Sequence, residues 1–210
     1  MTTPPAITLS RTLGSGGTEV ALHVARQLGW HFYDRRILRQ TATAMQLPVE
    51  ALRIQEERPF GFLEQLLRFT VLASPEVPYV PPLELPAYSR DLFEVERTVM
   101  LALVEKQSAV LVGRGGFIAL KDRPATLHVR VQASLDFRIQ HLLDRGKATN
   151  RDAAKQAILT SDRDRKAFYR EIANLEWEDP KNFHLVLDPS THGLKACAER
   201  IIEEAKGRFQ

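Results

Sequence analysis

Ile7-Thr8-Leu9-Ser10-Arg11-Thr12-Leu13-Gly14-Ser15-Gly16-Gly17-Thr18 decides the reading of this chain. A short apolar run leads into a glycine-rich turn, and Val20, Ala21, Val24, Ala25 and Leu28 follow at helical spacing. Strand, glycine-rich loop and helix, in that order, are the setting in which a loop binds phosphate. Backbone N–H groups and the positive end of the helix converge there on an anion. The full phosphate-loop signature is Gly-x-x-x-x-Gly-Lys-Ser/Thr. Here the second glycine, Gly16, and the hydroxyl, Thr18, are in place, while the first glycine has become Arg11 and the lysine has become Gly17. Two readings follow: a phosphoryl-transfer enzyme with a rearranged loop, or a nucleotide-fold protein without the chemistry.

Working outward, the 210 residues suit a single domain, 1–210, with a core large enough to need no staples. A charged fraction of 26% against 44% hydrophobic residues is that of a soluble globular chain. The single cysteine, Cys197, excludes an internal disulfide framework and fits a reducing compartment, and reads as a buried residue of the last helix. No leader pattern opens the sequence and no apolar run reaches membrane-spanning length, so the expected location is cytoplasmic, with no membrane partner. A formal net charge of +3 is too weak to argue for nucleic acid. Arg35-Arg36, Arg114, Arg123, Arg163 and Arg165 lie in separate segments, a spread that suits a cleft for a small phosphorylated ligand as well as a solvated surface.

Periodicity predicts strands at Ala6–Ser10, Trp30–Tyr33, Ala109–Gly113, Thr126–Val131 and His184–Leu187. It predicts helices at Gly17–Leu28, Asp91–Lys106, Leu135–Leu143 and Leu194–Lys206, and a mostly helical stretch from Asp144 to Ala173. Ile37–Met45, Val49–Ile54 and Phe60–Leu72 also read as helical. Ser74 to Pro86 is a proline-rich loop, in which Val80-Pro81-Pro82-Leu83 is either plain punctuation or a polyproline ligand for a partner. Short apolar strands separated by helices predict an α/β fold, a parallel sheet with helices on both faces. Ligands of such sheets sit beyond the carboxyl ends of the strands. Those ends carry the Gly14–Thr18 loop, Asp34 with Arg35, and Gly113-Arg114-Gly115.

These segments resemble the cytidylate kinase-like family, a divergent branch of the P-loop nucleoside monophosphate kinases. The resemblance is carried by Thr8-Leu9-Ser10-Arg11 with Gly14-Ser15-Gly16-Gly17, and by Leu28-Gly29-Trp30-His31-Phe32-Tyr33-Asp34. Val112-Gly113-Arg114-Gly115, Asp162-Arg163-Asp164-Arg165 with Phe168-Tyr169, and the run from Glu176 to Leu185 carry it further. It spans nearly the whole chain and is weakest from about Ile54 to Tyr88. It implies a three-layer P-loop kinase fold with a five-stranded parallel sheet, a helical substrate-binding insertion at about 35–90 and a lid at about 145–175. It also implies transfer of the terminal phosphoryl group of ATP, with Mg²⁺, to a nucleotide substrate, CMP or dCMP.

On that basis Gly14, Ser15, Gly16 and Gly17 are expected to wrap the donor phosphates, and the Thr18 hydroxyl to ligate Mg²⁺. Arg11 is expected to supply the charge of the missing lysine, since a guanidinium binds phosphate oxygens through two parallel bonds. A solvent-facing strand-end arginine is the alternative. Arg114 is expected to hold the acceptor's phosphate, and Arg163 and Arg165 to close from the lid on the transferring group. The lid arginines alternatively form a solvated face laced with Asp162 and Asp164. Asp34 is expected to bind the acceptor's sugar, orient an arginine or cap a helix, and Tyr169 to bond near the nucleotide or pack. Trp177 reads as a packing anchor, and the histidines show no metal spacing. The chain departs from standard cytidylate kinases in lacking the lysine and both acids of their Asp-Gly-Arg-Asp turn. The arginine they use to grip CMP falls near Arg39 or Gln40. A catalytically inactive, regulatory nucleotide-binding module on the same fold is therefore the second reading.

Overall fold

Alternation of side chains along two central strands builds the sheet's two different faces. A computed structural model describes residues 3–34 and 90–209. The readings of three helices and a proline-rich loop between 37 and 86 lie outside the described residues. The elements are β1 (Ala6–Arg11), α1 (Gly17–Leu28), β2 (His31–Tyr33), α2 (Arg90–Lys106), β3 (Ala109–Val112), α3 (Gly116–Ala119) and β4 (Thr126–Val131). They continue with α4 (Leu135–Asp144), α5 (Arg151–Ala173), a 3-10 turn (Pro180–Asn182), β5 (Leu185–Leu187), α6 (Pro189–His192) and α7 (Leu194–Phe209). All strand pairs are parallel, in the order β2-β3-β1-β4-β5. This is the five-stranded parallel sheet expected from the sequence, which left the strand order open. Two short elements, α3 and α6, escaped periodicity because four residues complete barely one turn.

Ile7 and Leu9 of β1, with Leu127, Val129 and Val131 of β4, face α1 and α7 and pack with Val20, Val24, Cys197 and Ile201. The opposite face packs Leu111 against Val99 and Leu103 of α2, Phe117 of α3, Tyr169 of α5, and Trp177. Residues of the other parity, Thr8, Ser10, His128 and Arg130, are buried polar groups. Burying them without partners would be costly, and each is satisfied. Thr8 Oγ1 lies 2.7 Å from His128 Nδ1, and Trp177 Nε1 donates to Ser10 Oγ at 2.8 Å. Arg130 Nη1 donates to the Trp177 carbonyl at 2.8 Å, and its guanidinium lies 4.4 Å from the centre of that indole ring. Trp177 is fully buried. Its polar and cationic contacts fasten the segment after α5 to the middle of the sheet.

His128 makes this packing sensitive to acid. Burial, with His184 and Arg208 nearby, pushes its pKa down to about 4 from an ordinary 6.5. The folded protein thus binds a proton at His128 less readily than the unfolded chain. Stability from this group is complete above pH 6.5, falls as the pH drops towards 4, and levels off below. A shift of this size corresponds to about 3 kcal/mol. Denaturant titrations between pH 7 and 4 should show a smaller loss of stability in His128→Gln than in the wild type. Parallel losses would remove His128 from the account.

Among the described residues, no helix is long and apolar enough to cross a membrane.

Candidate functional site

The strand order brings the carboxyl ends of β2, β3 and β1 side by side, so Asp34, the Gly113-Arg114-Gly115 turn and the glycine-rich loop follow neighbouring strands. Ser10, Arg11, Gly113, Arg114, Arg165 and Tyr169, with Phe168, line one cleft at this end. Arg11, Arg114, Arg165 and Tyr169 come from three segments distant in sequence, and the fold gathers them.

The loop is held from behind. The Ser15 hydroxyl points inward and donates to the Thr12 carbonyl at 2.9 Å, so Ser15 shapes the loop with its side chain. Gly14 and Gly16 take left-handed conformations, φ +83° and +73°. The N–H groups of Gly14, Gly16, Gly17 and Thr18 have no acceptor among the described residues. They group four donors at the start of α1, where the positive end of a helix favours an anion.

Arg11 does not point to solvent. Its Nε donates to Thr18 Oγ1 at 3.3 Å, and its guanidinium lies so close over Gly113 that a Cβ there would collide with Nη1. The side chain therefore crosses the mouth of the loop between the ends of β1 and β3.

Arg114 follows the fully buried β3 and is itself buried, its guanidinium held by Glu96 of α2. Nε donates to Glu96 Oε1 at 2.8 Å, and Nη2 donates to the same oxygen. The Arg114 backbone is left-handed at φ +52°, between Gly113 at +79° and Gly115 at +69°. A non-glycine residue there carries roughly 1 kcal/mol of strain. The tight turn aims the side chain into the cleft, and strain of this kind gathers at functional sites.

Arg163 and Arg165, expected together at the cleft, part company. Residues two apart on a helix lie about 200° apart around its axis. Arg165 faces the cleft, 3.8 Å from Asp162 and with its guanidinium 5.6 Å from the centre of the Trp177 ring. Arg163 is 76% exposed and pairs with its neighbour Asp164 at 3.3 Å, so the structure does not bring it to the cleft. Tyr169 is buried against Phe117, Phe168 and Trp177. Burial pushes its hydroxyl pKa up; Arg165 and Arg11, and hydrogen bonds with the Gly115 backbone and the Ser10 side chain, work against that shift. It both packs and forms part of the cleft wall.

Sequence reasoning missed Arg138. This buried residue of α4 donates from Nε to the Leu13 carbonyl at 2.7 Å. Its Nη1 and Nη2 each donate to one oxygen of Asp162 at 2.8 Å. One guanidinium thus ties the glycine-rich loop to the helix that carries Arg165. The local signal was only an arginine within an amphipathic helix, and its partners lie in separate segments. Arg138→Met should destabilise the fold by about 3 kcal/mol, because a half-buried carboxylate and a loop carbonyl lose a charged donor. Adding Asp162→Asn should return part of that loss in a denaturant titration. A double variant no more stable than Arg138→Met would show that the pair is not the source.

The residues at Thr18 do not fit Mg²⁺. The hydroxyl expected to ligate it accepts a bond from a guanidinium, and a cation there would be repelled. Hard divalent ions take oxygen ligands, carboxylates above all. The carboxylates Glu96 and Asp162 are engaged by arginines, and no group of three or more His, Cys, Asp or Glu residues among the described residues is arranged to hold a metal.

The sequence profile of the cytidylate kinase-like family matches residues 6–191. The chain belongs to this family. Comparison with curated proteins gives no match. Among solved structures, an uncharacterized protein from Eubacterium ventriosum is 18% identical with a TM-score of 0.70, covering 97% of this chain and 99% of its own. At that identity the likeness speaks for the fold. Shikimate kinase from Bacteroides thetaiotaomicron is 14% identical with a TM-score of 0.49, covering 96% of this chain and 98% of its own. A gluconokinase from Sinorhizobium meliloti is 13% identical with a TM-score of 0.49 and full coverage of both chains, 100% each.

Proposed function

We propose that this cytidylate kinase-like protein transfers the terminal phosphoryl group of ATP to a nucleoside monophosphate, CMP or dCMP first among them. The observation that carries the reading is the meeting of Arg11, Arg114 and Arg165 around one cleft, beside a loop whose N–H groups are available to an anion. Phosphoryl transfer asks a protein mainly for positioning and for charge around the moving group. The bond from the terminal phosphorus to its bridging oxygen breaks, and its electron pair leaves on ADP. A phosphate oxygen of the acceptor forms the new bond.

In this reading the N–H groups of Gly14–Thr18 hold the donor phosphates, with Arg11 across the loop mouth. Arg114, fixed in plane by Glu96, receives the acceptor's phosphate. Arg165 approaches from α5 and stabilises charge on the transferring group, with α5 as the core of a lid at about 145–175. Arg163, on the outer face, has no part in the step. Tyr169 and Ser10 form the polar floor, and Asp34 binds the acceptor's sugar or orients an arginine. The segment at about 35–90 serves as the acceptor-binding insertion of one domain spanning 1–210. The preference for cytidine nucleotides rests on the family alone. The buried, unpaired Cys197 suits a reducing cytoplasm.

The test is product formation from ATP and a panel of nucleoside monophosphates, run with and without Mg²⁺ and resolved by chromatography, with Arg165→Ala as control. A diphosphate from CMP or dCMP that disappears in the control supports the reading. The engagement of Thr18 by Arg11 favours a second reading, the regulatory module. Under that reading ATP raises the melting temperature by mass action, no monophosphate does, and no product forms from any acceptor.

A further inference from the structure

We propose that Arg11 takes over the charge that the phosphate-loop signature divides between its lysine and a metal ion. The loop then binds the polyphosphate of ATP without a divalent cation on Thr18. The inference rests on the ATP-donor reading above and specifies its chemistry. It begins with a steric exclusion. A Cβ built on Gly17 would lie 2.6 Å from Arg11 Cβ, 3.2 Å from Arg11 Cγ and 3.2 Å from Val131 Cβ. Two of these are Cβ atoms rooted on the backbone of adjacent paired strands, so they cannot swing aside as the end of a flexible chain would. On this backbone a side chain at 17 collides with the Cβ of Arg11 and crowds that of Val131, so arginine at 11 goes with glycine at 17. The missing first glycine and the missing lysine are thus linked sterically: relative to the signature, the cation stands at the end of the strand and not at the start of the helix.

The position of that cation decides the second half. From β1 the guanidinium reaches Thr18 Oγ1 and lies over Gly113, so it spans the space between the metal-ligand position of the signature and the end of β3. A divalent ion on Thr18 would stand against it. Arg114, paired with Glu96, and Arg165, which shares Asp162 with Arg138, face the same cleft, so two carboxylates stand beside four guanidinium groups there, Arg11 among them. Such a field favours the fully charged polyphosphate over its magnesium complex, which carries two fewer negative charges.

Calorimetric titration of the 210-residue chain with ATP, once in EDTA and once in excess MgCl₂, tests this. The wild type is expected to bind ATP in EDTA at least as tightly as with Mg²⁺, and Arg11→Ala to lose tenfold or more of the affinity measured in EDTA. The double variant Arg11→Gly/Gly17→Lys restores the signature and is expected to bind ATP at least tenfold more tightly with Mg²⁺ than in EDTA. If the double variant does not fold, the wild type and Arg11→Ala decide alone. ATP binding that strengthens tenfold or more with Mg²⁺ in the wild type overturns the inference and leaves the donor reading standing. Unchanged affinity in Arg11→Ala overturns it as well. Absence of ATP binding in both buffers overturns this inference and the donor reading together.

Discussion

Arg114→Ala should lower the stability of the protein by about 3–5 kcal/mol, the usual consequence of removing one partner from a buried ion pair. The Glu96 side chain is 1% exposed and that of Arg114 4%, so neither charge is screened by water. The substitution removes the guanidinium while the carboxylate stays in the core between α2 and the β3 turn. It gains nothing in the backbone, because alanine at φ +52° is as strained as arginine. Such a loss is a large share of a typical total stability, and should lower the melting temperature by roughly 10 °C. Glu96→Gln placed on Arg114→Ala removes the buried charge that lost its arginine, so the double variant should be more stable than the single one in denaturant titration. A single variant that melts with the wild type would rule the pair out. The same logic makes Arg114→Ala a poor probe of chemistry, since lost activity would mix lost folding with lost phosphate binding.

Arg165→Ala is the cleaner probe, and its effect on transfer should be the larger. Where an arginine stabilises the transferring group, its removal costs on the order of 10³-fold or more in rate. Arg165 is partly exposed, and its ion pair with Asp162 is long at 3.8 Å. Asp162 keeps its closer pair with Arg138, so removal of Arg165 should cost less stability than removal of Arg114. Arg163→Ala supplies the comparison from two residues away on the same helix. Its side chain is 76% exposed and bonded to Asp164, and its loss should leave the rate within about a factor of two, as for a surface substitution. Equal losses in the two variants, or none in Arg165→Ala, would contradict the placement of Arg165 over the cleft. Measuring kcat and KM separately sharpens the contrast: an arginine acting on the transition state lowers kcat, while one that only binds substrate raises KM.

The main elements were legible in the sequence because their causes are local. The apolar run Ala109–Val112 is buried on every residue, as a central parallel strand must be, and Thr126–Val131 forms a strand at the predicted bounds. Gly29 ends α1 in the left-handed conformation expected of a glycine cap. The order and spacing of five segments, from the glycine-rich loop to the run before β5, placed the chain in its family. The rearranged signature was visible at Arg11 and Gly17, but its reason was not. That needs the distance from Arg11 Cβ to the place where a side chain on Gly17 would begin, which only the folded loop sets. The partners of Arg114 and Arg138 were hidden for the same cause, since Glu96 and Asp162 lie 18 and 24 residues away on other helices. So was the difference between Arg163 and Arg165, which depends on which face of α5 meets the sheet.

Periods of 2 and 3.6 residues report which residues turn inward, and the glycine-rich turn marks the carboxyl end of β1, so the sequence by itself determined the class of fold and the end of the sheet at which the cleft lies. Strand order, the crossing of Arg11 over the loop and the ion pairs that aim the arginines were decided by tertiary structure alone. They arise from pairing across as many as 167 residues, the separation of Trp177 and Ser10, and no local pattern encodes which distant surfaces will meet.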